Sequence, residues 1–199
     1  PPTETHPRVL AQPSSVTVKS KKNNVKMANP RTFLEEFVRP TLDEFSADTA
    51  NLRRALMAVQ MLDAAISQIF YACEDAGHDA YHDLFVLPAD ARPKNADDTN
   101  FRALLAEEHE IYKIHRDFAK AIKHGTLTRH KPLVISADSA SVRTLGYGEG
   151  QFGVGPSGGG PRVDVQLITG EQVNVHWIVS EMFERVQNLI ELMESKSII

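Results

Sequence analysis

The chain has 199 residues, 42% of them hydrophobic and 24% charged, which suits one globular domain with an unstapled core. A single cysteine, Cys73, excludes an internal disulfide and fits a reducing compartment, so a cytoplasmic protein is expected. The net charge of -4 divides unevenly: residues 1–26 carry five Lys/Arg against Glu4, and residues 27–199 carry -8, which excludes a nucleic-acid binder acting through bulk charge.

Residues 1–28 are rich in Pro, Ser, Thr, Lys and Asn without helical period, and a disordered basic tail is expected there. Met27 opens the first patterned stretch and reads as a start; a basic tail that meets partners is the alternative. A single helical domain is expected over 29–199. Its first helix spans 31–46, with Leu34, Phe37, Val38, Leu42 and Phe45 inward and a kink at Pro40. Asp48 is expected to cap a second helix whose stripe includes Leu52, Leu56, Val59, Leu62, Ile66, Ile69, Phe70 and Cys73, ending at Gly77. After a short helix at 79–86 and a proline-rich loop, a third helix is predicted from Asp98 or Thr99 to His124, stopped by Gly125. Pro132–Ser136 is a strand candidate, 146–160 a loop holding eight of the eleven glycines, and 163–175 a hairpin around Thr169-Gly170. A final helix covers 176–195, with Trp177 expected to pack. The fold class is thus mainly α, a helical bundle with a small β-hairpin before the C-terminal helix; an unpartnered helix face would drive homodimerisation. No uninterrupted apolar run approaches the roughly 20 residues of a membrane helix, so no membrane partner is expected.

Four features bear on chemistry. In the third helix, Glu108 and His115 occupy stripe positions otherwise apolar, which marks either a polar binding site or a satisfied core network. Residues 113–131 hold Lys113, Arg116, Lys120, Lys123, Arg129 and Lys131 against Asp117 alone, a local basic patch suited to phosphate or to a plain solvated face. Gly148-Glu149-Gly150-Gln151-Phe152-Gly153 fits a nucleotide-loop pattern but lacks the flanking strand and helix, so no nucleotide cofactor is expected. His78 and His82 stand four apart without a further ligand pattern, so surface histidines are expected and no metal.

Arg116-Asp117-Phe118-Ala119-Lys120-Ala121-Ile122-Lys123-His124-Gly125 resembles the arginine-to-histidine segment of HEPN-type helical proteins. The usual motif has a shorter gap and another polar residue after the arginine; here seven residues separate Arg116 from His124. The resemblance implies a small helical bundle, often dimeric, that binds RNA or cleaves it without metal. It would make Arg116 and His124 the catalytic pair, with His124 as acid or base and Arg116 on the phosphorane charge. Lys120 and Lys123 would hold phosphate, with His115 and Glu108 as further binding candidates. The Gly-rich loop, hairpin and closing helix also resemble a group of bacterial proteins of unassigned function. The alternative to an RNA protein is a non-catalytic interaction module whose basic stretch docks an acidic protein partner.

Overall fold

The structure, a computed structural model, describes residues 29–85, 96–129, 131–144 and 160–199. The N-terminal tail and nearly all of the Gly-rich loop lie outside the described residues.

Asn29 caps the first helix by accepting from the Arg31 amide at 2.8 Å, with Pro30 as its first residue. The expected kink is a change of helix type. Helix α1 (Pro30–Phe33) runs into a π-helical turn (Leu34–Val38) and then α2 (Arg39–Ala47). Pro40 has no N–H for the Glu36 carbonyl, and the ladder widens ahead of it, with the Arg39 amide donating to the Leu34 carbonyl. Leu34, Val38, Leu42 and Phe45 are buried. Phe37 lies at the edge of this stripe, half exposed, and stacks on Phe33.

Helix α3 (Leu52–Asp75) is the central element, packed against α2 and against α7 (Val175–Ser195). Its cap is Asn51 rather than Asp48; Asp48 instead ends α2 and approaches Arg54 at 3.6 Å. Val59, Leu62, Ile66, Ile69, Phe70 and Cys73 are buried as the stripe predicts, whereas Leu52 and Leu56 stand at its outer margin. By length and composition alone α3 could cross a membrane, but half of that apolar window is buried inside the fold, as in a core helix. Gly77, at φ +81°, takes the left-handed turn after α3. A short helix α4 (Ala80–Leu84) follows.

The predicted third helix is in fact two. Helix α5 (Asp98–Glu108) ends at His109, whose backbone is extended (φ -144°, ψ 130°), and α6 (Glu110–His124) starts immediately after it. The two fold back on each other. Arg102 of α5 and Lys123 of α6 both bond Asp63, yet one straight helix would hold them about 32 Å apart. Doubling back lets Phe101 and Leu105 as well as Ile111, Ile114 and Phe118 reach the core around α3.

The β element is a three-stranded antiparallel sheet, β1 (Ala140–Arg143), β2 (Arg162–Gln166) and β3 (Gln172–Asn174), in that order. Ala140 pairs with Val165, and Val165 with Val173; Gly170, at φ +88°, sits in the β2–β3 turn. Pro132–Ser136 is not a strand. It holds a single bridge, Thr126 to Ser136, and its buried Val134 anchors a loop instead. Asn174 caps α7, whose Ile178, Met182, Val186, Ile190 and Met193 close the core. Trp177 packs only in part: at the first turn of α7 it is 51% exposed.

Candidate functional site

Helix α6 separates its residues by period. Ile111, Ile114, His115, Phe118 and Ala121 point into the core, while Lys113, Arg116, Lys120 and His124, at spacings of three, four and four, line a cleft. The cleft measures about 1240 Å³. Thr99, Ala103 and Glu107 of α5 form one side, and residues 126–129, which include Arg129, form the other together with Pro132 and Leu133. The second wall is fastened by Asp117. Buried at 3% exposure, it accepts from the Leu133 amide at 2.8 Å through one carboxylate oxygen, and from Arg116 Nη2 and Nε at 2.9 and 3.1 Å through the other. The aspartate that departs from the resembled motif therefore positions both the loop and the arginine.

Lys120 stands between Arg116 and His124 on this face. Burial and then the neighbouring Arg116 charge pull its ammonium below the ordinary lysine range. It makes no ion pair among the described residues. An anion in the cleft would answer both the desolvation and the repulsion. Glu107 and Glu110 sit toward the α5–α6 junction, so the positive end is the one near His124 and Arg129.

The remaining sequence candidates lie elsewhere. Lys123 turns out of the cleft and donates to Asp63 Oδ2 at 2.5 Å. Arg102 Nη1 donates to Asp63 Oδ1 at 2.6 Å, and its Nη2 bonds Asp98 and Ser67. Asp63 is 2% exposed. Burial pushes its carboxyl up, but the Lys123 hydrogen bond and the Arg102 charge outweigh that and hold it below the usual carboxylate range. His115 is enclosed in the core, where its Nε2–H donates to the Val59 carbonyl at 3.1 Å; burial holds it neutral and lowers its basicity, with Asp63 opposing. It is a core histidine, not a cleft ligand. Glu108 ends α5 on the surface, because the break at His109 removes it from the helix that carries His115.

Arg116 and His124 do line the same cleft, about 12 Å apart along α6. His78 and His82 turn to separate carboxylates, Asp83 and Asp79, and His78 precedes helix α4. Among the described residues no group of three His, Cys, Asp or Glu side chains is arranged to hold a metal ion. Reasoning from sequence missed Asp63, Arg102 and the role of Asp117. The i,i+4 pair Asp98–Arg102 was the one available hint, since it marks a charged face on a helix that must also reach the core. No family model and no curated protein matches the sequence, and no solved structure matches the fold.

Proposed function

We propose that the α6 cleft binds the phosphodiester backbone of single-stranded RNA in a helical protein of HEPN-like ancestry. The observation that carries this is Lys120, a half-buried cation that makes no ion pair among the described residues, set in a row with Lys113, Arg116 and His124. The row extends about 16 Å along the helix, which suits successive phosphates of a strand better than one small anion. It lies in a region that is otherwise acidic, so the positive surface is local. The resemblance of Arg116–Gly125 to the HEPN segment favours RNA as the polyanion. Arg116 and His124 are too far apart to share one phosphate, and Arg116 is engaged by Asp117, so the proposed activity is binding.

Fluorescence anisotropy with a labelled single-stranded RNA tests this. Lys120→Ala is expected to weaken binding several-fold, whereas Lys123→Ala, whose amine serves Asp63, leaves affinity unchanged and lowers stability. Failure of the wild-type protein to bind RNA at low salt would overturn the proposal.

A further inference from the structure

Helix α3 has a second face. Its core side carries Ala55, Leu62, Ile66, Ile69 and Cys73. Helical periodicity places Arg53, Met57, Gln60, Ala64, Gln68, Tyr71 and Asp75 on the side turned away from these. None of the seven is buried, and Met57 and Tyr71 are 41% and 43% exposed. The spacing is four, three, four, then four, three, four, an eleven-residue period that keeps the stripe nearly parallel to the axis.

The stripe is symmetric about Ala64 in spacing and opposite in charge at its two ends. Gln60 and Gln68 lie four residues to either side, Met57 and Tyr71 seven, and Arg53 and Asp75 eleven. Arg53 and Asp75 make no ion pair among the described residues. Beside Met57 an apolar groove of about 590 Å³ opens between the first half of α3 and Ile122 of α6, floored by Leu56 and Met61.

We propose that this face is the seam of a homodimer, in which two copies of α3 pack antiparallel about a two-fold axis at Ala64. In a two-fold interface residue i meets j and j meets i. Arg53 then faces the partner's Asp75 and Met57 faces the partner's Tyr71, each twice, while Gln60, whose Nε2 donates to the Ala119 carbonyl at 2.9 Å, stays with its own α6. Ala64 faces its own copy, where the small side chain lets the helices approach. The partner's Tyr71 ring enters the groove beside Met57, a thioether–aromatic contact. A parallel pairing would instead set Arg53 on Arg53 and Asp75 on Asp75, so charge selects the antiparallel arrangement. The seam shares no residue with the α6 cleft and does not depend on RNA binding.

Sedimentation equilibrium over a concentration series, with the full chain, tests this alongside oxidative crosslinking. The wild type is expected to dimerise reversibly. Arg53→Asp or Asp75→Arg alone should weaken association about tenfold, because each puts like charges opposite at both ends of the seam. The double variant should recover wild-type association. Ala64→Cys should crosslink to a dimer under mild oxidation, with buried Cys73 as an internal control that does not. A monomeric wild type at every concentration, a double variant no tighter than the singles, or an Ala64→Cys protein that dimerises without crosslinking would each overturn the proposal.

Discussion

Replacing Asp63 by Asn removes the charge that joins α5, α6 and α3. Asp63 is 2% exposed and accepts short hydrogen bonds from Arg102 and Lys123. Breaking a buried ion pair by removing one partner costs about 3–5 kcal/mol. Here the loss falls toward the lower end, since Arg102 keeps Asp98 and the Lys123 side chain is 45% exposed and can turn to water. A loss of about 3 kcal/mol in a domain of this size corresponds to a fall in Tm of roughly 6–12 °C. Thermal and urea unfolding followed by circular dichroism would measure it. The pH dependence adds a second check. The Asp63 carboxyl is held below its ordinary range, so its contribution is fully present above the unfolded value of about 3.9 and is lost as pH falls through the folded value. The gap between wild type and Asp63→Asn should therefore stay constant from neutral pH down to about 5 and close only in stronger acid. A difference under about 1 kcal/mol at neutral pH would refute this account of the network.

His115 should make stability acid-sensitive in a higher window. Its basicity is lowered in the fold, so the stability it contributes is present above about pH 6.5 and declines below that by up to ~1.4 kcal/mol per pH unit; His115→Gln should flatten the wild-type Tm profile between neutral pH and 5. An unchanged slope in the variant would count against a buried neutral histidine. Burial pushes the Cys73 thiol up to about 12, so a thiol reagent at mildly alkaline pH should label the unfolded chain at once and the native protein only through unfolding; rapid native labelling would contradict the packing of α3. His124→Ala is expected to weaken RNA binding modestly, with wild type and variant alike expected to leave RNA intact; wild-type cleavage that persists in chelator and vanishes in the variant would assign catalysis to the cleft instead.

Much of the scaffold is legible from periodicity. The stripes of α3 and α7 each bury against several neighbours, so their apolar spacing is complete, and Gly77, Gly125 and Gly170 mark turns that need positive φ. The α5–α6 hairpin is not legible. His109 carries no glycine or proline signal, and the apolar spacing resumes in register at Ile111 after the polar run 107–110, so one long helix fits the pattern with Glu108 as its exception. Only the shape of the core decides for two. That single break accounts for the misplaced Glu108 and explains why Lys123 serves Asp63 rather than a ligand. The row Lys113, Arg116, Lys120 and His124 survives because it needs only the period of α6. Its second wall does not follow from any local pattern, since Asp117 acts on Leu133 across a loop. Trp177 misleads for a related reason: a large apolar side chain at a helix start is buried only if another element reaches it, and among the described residues none does so fully.

The central claim is that the α6 cleft meets a chain of phosphates. The most direct measurement is the salt dependence of binding to a labelled single-stranded RNA, for wild type and for Lys120→Ala. Each phosphate contact on a single strand adds about 0.7 to the slope of log K against log salt. With Lys113, Arg116, Lys120 and Arg129 engaged, a wild-type slope of roughly -2 to -3 is expected, and Lys120→Ala should lower its magnitude by about 0.7 while weakening binding to all sequences alike. No binding by the wild type at low salt, or a slope that Lys120→Ala leaves unchanged, would contradict the claim.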